Sequence, residues 1–137
     1  MPASMYDLQV VDVVHSSLKQ RADCPLQGIE GAPDAIITIE KGFSPAIESL
    51  RVGEEIIVLT WMHLAARDVL SCYPRKEVNS QPLGVFSTRS PDRPNPIGLH
   101  RVRITSISAG EIGVFPLEVV EGTPVVDIKP VIEDALN

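Results

Sequence analysis

Arg89 and Arg93 sit within "FSTRSPDRPNPIGLHRV" (86–102), a stretch that also carries Asp92, Asn95 and prolines at 91, 94 and 96. A guanidinium fork matches a carboxylate or a phosphate, and a carboxamide can both donate and accept. Each proline restricts its own residue and the one before it, so this loop has few conformations to lose when a ligand arrives. The chemistry on offer is anion recognition from a rigid frame. The same residues also suit a structural turn whose arginines pair with Asp92 and neighbouring acids, and residue types alone slightly favour that second reading.

Other reactive residues are scattered. His15, His63 and His100 lie far apart, and Cys24 and Cys72 have neither CxxC spacing nor a clustered His partner. Two such cysteines read as free thiols, and no HExxH or calcium-loop pattern occurs, so neither a disulfide nor a metal is expected. In "VVDIKP", Asp127 and Lys129 offer a carboxylate and an ammonium, readable equally as a structural pair beside a strand. GxGxxG is absent, which leaves a doubly wound dinucleotide fold without support.

Strands must position these residues. "DLQVVDVV" (7–14) reads as a first strand ending near His15, followed by a long loop broken by Pro25, Gly28, Gly31 and Pro33. "AIITIE" (35–40) is a strand, and "FSPAIESL" (43–50) is a short helix with Ser44 as N-cap and Pro45 at its first position. "EEIIVLTWM" (54–62) is a buried strand delivering His63 at its end, and 64–83 is basic and irregular. "GVFSTR" (84–89) resumes a strand, which the prolines then stop. From Leu99 the pattern alternates, with Val102 and Ile104 on one face and Arg101, Arg103 and Thr105 on the other. "EIGVFPLEVV" and "TPVVDIKP" supply two more strands. The fold class expected is mainly all-β: a small antiparallel barrel with short helices and long loops.

The 137 residues suit one domain, 1–137. Apolar residues are 44% and charged residues 22%, ordinary globular usage that indicates neither disorder nor a fibrous repeat. With aromatics at 4%, the core must rest on Val, Ile and Leu. No apolar run reaches the ~18 residues of a membrane span and no signal-peptide pattern opens the chain, so a cytoplasmic protein is expected. Net charge is −6, yet Arg67 to Arg103 holds seven basic residues against three acids. A basic patch on an acidic body could steer a polyanion, and a solvated face with salt bridges is an equal reading.

"GVFSTRSPDRPNPIGLHRVRI", the downstream "EGTPVVDIKP" and the early "VVHSSLKQRADCPLQG" together resemble the TsaA-like (YaeB, TrmO) family of tRNA threonylcarbamoyladenosine methyltransferases. The resemblance runs from about Val10 to the C-terminus. It implies a β-barrel homodimer that binds S-adenosylmethionine near the subunit interface, and tRNA as partner. The implied cofactor contacts are Pro25, Leu26 and Gln27, then His63, Leu64, Arg89 and Leu99, then Glu118, Val119, Val120 and Glu121. Leu26 replaces the family's arginine, and Glu-Val-Val-Glu replaces its usual Asp-Leu-Leu-Asp; main-chain contacts would survive the second change.

The acceptor that the resemblance implies is the exocyclic nitrogen of threonylcarbamoyladenosine beside the anticodon. That nitrogen is acylated and weakly nucleophilic, so a base should help. Asp127 is the expected base, with Arg93, Asn95 and Lys129 available to the acceptor's carboxylate or a backbone phosphate. An S-adenosylmethionine-binding regulatory module, and a methyltransferase for another RNA or a small molecule, are the alternative functions.

Overall fold

Strands with one apolar face must bury it, and here six of them do so by closing on one another. The computed structural model describes residues 6–24, 31–73 and 81–133. In chain order the strands are β1 (Asp12–Ser16), β2 (Ala35–Ile39), β3 (Glu55–Trp61), β4 (Ser71–Cys72), β5 (Leu83–Gly84), β6 (Ile97–Ser108), β7 (Glu111–Phe115) and β8 (Pro124–Pro130). The antiparallel barrel has the order β1-β2-β7-β6-β3-β8, and β4 and β5 form a separate ribbon.

Alternation decides what fills the bore. Val14, Ile37, Ile56, Val58, Val102, Ile104, Ile112, Val114 and Val125 are all buried, while Arg101 and Arg103 face out. The buried cluster contains Val, Ile, Leu and Ala and no aromatic ring, as the composition requires. Register shifts interrupt β3–β8 between Leu59 and Thr60 and β6–β7 between Ile104 and Ser106, where bulges let so small a barrel curve.

The expected barrel is present, and several element boundaries differ from expectation. The first strand begins at Asp12, although the Val11 N–H already bonds to the Val125 carbonyl at 3.0 Å. The helix expected at 43–50 is a run of 3₁₀ turns, Lys41–Ile47, because the Phe43 N–H returns to the Glu40 carbonyl and starts the coil before Pro45. "GVFSTR" is not a continuous strand. Val85–Ser87 is a 3₁₀ turn, closed by the Thr88 N–H on the Val85 carbonyl at 3.0 Å. The strand at "EIGVFPLEVV" stops at Phe115, since Pro116 has no N–H for the ladder, and the Leu117 N–H instead bonds to the Pro33 carbonyl.

The 3₁₀ segment brings Phe43 and Ile47 against the core, with Leu50 following. Near it, Asp12 enters the bore from β1 with 1% exposure, and its Oδ1 has no hydrogen-bond partner among the described residues. Burial first, and the charge of Glu40 second, push its carboxyl up to about 7 from an ordinary 3.8. The unfolded chain therefore releases this proton at lower pH than the folded one, and the fold loses stability as pH rises between those two values. Asp12→Asn is expected to raise stability by about 1–2 kcal/mol near pH 8, with the gain vanishing below about pH 4. Denaturant titrations at several pH values check this.

Candidate functional site

A pocket of 620 Å³ opens where β3 ends and β6 begins, within the ~300–1,000 Å³ typical of ligand sites. Arg21 and Cys24 border it from the segment after β1, Met62 to Ala65 from the segment after β3, and Arg89 to Pro91 with Arg93 from the proline loop. The start of β6 and the stretch holding Glu118, Val120 and Thr123 complete the wall.

The proline loop is held by arginines. Arg93 donates through Nε to the Ser90 carbonyl at 2.7 Å and through Nη2 to the Val85 carbonyl at 2.8 Å and the Thr88 carbonyl. Arg67 donates to the Pro94 carbonyl at 2.7 Å and to Asn95 Oδ1 at 3.1 Å, and its guanidinium lies 5.0 Å from the Trp61 ring centroid. Asp92 joins three segments by accepting from Arg21 Nη2 at 3.1 Å and from the Ala66 N–H at 2.9 Å. Partial burial opposes the charge on Asp92, but these donors outweigh it and hold the carboxyl below its usual value.

A second clip sits at the other side of the pocket. Glu121 accepts from the Ser16 N–H at 2.8 Å, pairs with His15 Nδ1 at 3.0 Å and stands 3.7 Å from Lys19 Nζ. The Ser16 bond, then that of His15, lowers its carboxyl below the ordinary glutamate value. The Glu121 N–H also reaches the Leu18 carbonyl at 2.7 Å, so side chain and main chain together fix the approach to Arg21.

At the pocket's inner wall a carboxylate, an imidazole and a hydroxyl form a line. His100 Nδ1 is 2.5 Å from Glu118 Oε1, and His100 Nε2 is 2.7 Å from Thr60 Oγ1. The side chains of His100 and Glu118 are 4% and 15% exposed, so the pair is shielded from bulk water. Gly98 makes room for it. A Cβ there would lie 2.6 Å from His100 Nε2 and closer still to Thr60 Oγ1.

Of the residues singled out from sequence, His63, Leu64, Arg89, Leu99, Glu118 and Val120 meet at this pocket, with Arg93 at its edge. Among the described residues Arg89 has no hydrogen bond or ion pair, which leaves its fork open. The remaining described residues of that set bring no side chain to the pocket. Val119 is fully buried in the core, so its side chain does not face the pocket. The Glu121 carboxylate is spent on Ser16, His15 and Lys19, and Asn95 on Arg67. Asp127 pairs with Lys129 at 2.9 Å, and neither lines the pocket. Pro25, Leu26 and Gln27 lie outside the described residues.

The basic stretch is also changed by its partners. Arg101 pairs with Glu55 at 2.8 Å and Glu133 at 3.0 Å, and Arg103 with Glu55 at 3.5 Å. With Arg67 and Arg93 bound to their own loops, Arg89 is the open guanidinium of this stretch among the described residues. Sequence reasoning missed Thr60, Gly98 and His100. Period two did contain the signal, because it puts His100 on the inward face with Val102 and Ile104.

Fold and site define a class: a small closed antiparallel barrel with a ligand-sized pocket at one end, walled by an arginine-braced proline loop. Within that class, residues 13–135 match the tRNA-methyltransferase O N-terminal domain, and the chain belongs to that family. A "Probable S-adenosyl-L-methionine-binding protein" of Methanothermobacter thermautotrophicus is 42% identical over 95% of this chain and 96% of its own length. An S-adenosyl-L-methionine-binding protein of Archaeoglobus fulgidus is 38% identical over 89% of this chain and 86% of its own. The crystal structure of TrmO from Pseudomonas aeruginosa superposes with a TM-score of 0.76 at 26% identity, covering 98% of this chain and 59% of that one. The chain thus spans about three fifths of the length of that solved protein.

Two substitutions probe this architecture. Gly98→Ala is expected to cost about 1–3 kcal/mol through the clash with Thr60 and His100, measured by thermal unfolding. Arg93→Ala is expected to speed amide exchange of Thr88 and Ser90 more than about tenfold by freeing the loop, with little rescue by Arg93→Lys, which lacks the fork.

Proposed function

We propose that this chain is an S-adenosylmethionine-dependent methyltransferase domain acting on tRNA, with the exocyclic nitrogen of threonylcarbamoyladenosine as acceptor. The observation that carries the reading is the pocket itself: an open guanidinium at the rim, apolar walls and a shielded carboxylate, in a chain of this family. Met62, Leu64, Leu99 and Val120 provide an apolar cradle for the adenine and sulfonium ends of the donor. Arg89 meets its carboxylate as a charge-assisted fork, and the main chain of 118–121 meets ribose or amino groups. Bound there, the donor supplies an electrophilic methyl group.

The chain's own contribution is positioning, which accounts for most of the acceleration of an in-line displacement. Bracing by Arg67, Arg93 and the Arg21–Asp92 pair fixes the loop backbone that carries Arg89, so binding orders only its side chain. In this reading Arg93, Asn95 and Lys129 are structural, and the acceptor's anticodon loop meets the open rim as splayed single-stranded bases. Ile97 and Leu99, both nearly half exposed beside the pocket, support a homodimer in which a second copy covers that edge. A cytoplasmic site of action accords with a tRNA substrate.

Labelled S-adenosylmethionine, offered with tRNA that carries threonylcarbamoyladenosine and with tRNA made without it, tests the reading. Label is expected only on the modified tRNA. Donor binding without transfer to either would make the chain a binding module. Arg89→Ala is expected to weaken donor affinity about ten- to a hundredfold by calorimetry, and an unchanged affinity would remove Arg89 from the donor site.

A further inference from the structure

Methylation of an N–H nitrogen forms an N–C bond and breaks the S–C bond, whose electron pair stays on sulfur. The N–H proton must leave, and the pocket limits where it can go. Among the described residues lining the pocket, Glu118 is the one carboxylate, and Arg21, Arg89, Arg93 and Arg101 are cations that accept no proton. His63 stands exposed at the rim with no hydrogen bond among the described residues to orient its ring. Cys24 carries a thiol whose proton is retained, because burial and the charges of Asp23 and Glu118 push its pKa up.

Glu118 is the oriented group. Its Oε1 is held by His100 Nδ1 at 2.5 Å, while Oε2 has no partner among the described residues. The other ring nitrogen of His100 is engaged by the hydroxyl of Thr60, which is fully buried. An ionised carboxylate only accepts, so the Glu118 oxygen at 2.5 Å places a ring proton on Nδ1, while the Thr60 hydroxyl, which donates to Met62 Sδ at 3.3 Å, stands 2.7 Å from Nε2.

We infer that Glu118 Oε2 accepts the proton lost by the acceptor nitrogen, and that His100 and Thr60 are positioning residues that fix the carboxylate for that task. The inference rests on the methyltransferase reading above and replaces Asp127 as the base. Glu118 becomes neutral as the N–C bond forms, keeps its His100 contact through Oε1, and gives the proton to water once the products leave.

Three measurements test this on the intact chain with tRNA carrying threonylcarbamoyladenosine: single-turnover transfer, donor affinity by calorimetry, and the His100 ring tautomer by nitrogen NMR without donor. Glu118→Gln keeps size and shape and is expected to slow transfer about 10²- to 10⁴-fold, with donor Kd within about threefold. Glu118→Asp should restore part of the rate. Thr60→Val, folded as judged by its unfolding midpoint, should lose about tenfold in rate with donor Kd unmoved. NMR should place the His100 proton on Nδ1. An undiminished rate in Glu118→Gln, a loss confined to donor affinity, or a bare Nδ1 overturns the inference. A wild-type chain that transfers nothing overturns it together with the methyltransferase reading, whereas an active wild type with an equally active Glu118→Gln removes the base alone.

Discussion

A proline-rich loop has carbonyls to satisfy and few N–H groups to do it with. Pro91, Pro94 and Pro96 remove three donors from a stretch that must still pack against the barrel mouth. Arginine solves the imbalance, because one planar fork serves several carbonyls at once, as Arg93 does for Val85, Thr88 and Ser90. Arg67 repeats the device on Pro94, and Asp92 gathers Arg21 and the Ala66 N–H into the same frame. The pocket wall exists because these donors replace a backbone ladder that the sequence cannot make.

That exchange explains which parts of the molecule were readable in advance. Strand identity followed from period two, and the barrel from many short strands with Gly and Pro between them. Boundaries failed where side chains, not propensity, decide them. "GVFSTR" has strand composition, but carbonyls drawn to Arg93, eight residues from Val85, favour a tight turn. The 3₁₀ run likewise began at Lys41, set by a main-chain bond to Glu40 that no residue type announces.

The site was legible in its outline and hidden in its detail. Motif resemblance brought His63, Leu64, Arg89, Leu99 and Glu118 to one place, and the pocket collects them. Charge counting left a basic patch and a salt-bridged face even, because a basic residue's contribution to a surface potential depends on its partners. Arg101 and Arg103 are balanced by Glu55 and Glu133, from sequence positions far away. The Thr60–His100–Glu118 line joins β3, β6 and the stretch before β8, a juxtaposition that only barrel closure creates.

Gly98 lies beside that line and touches it with no side chain of its own. Any ranking of residues by the contacts they make would place it near the bottom, although the side-chain contact between Thr60 and His100 depends on the volume it leaves free opposite Thr60. Its role in the molecule is a subtraction. For redesign of this pocket, the position to hold constant first is therefore one that presents no functional group at all, and libraries built by diversifying the pocket-facing residues of β6 should skip it.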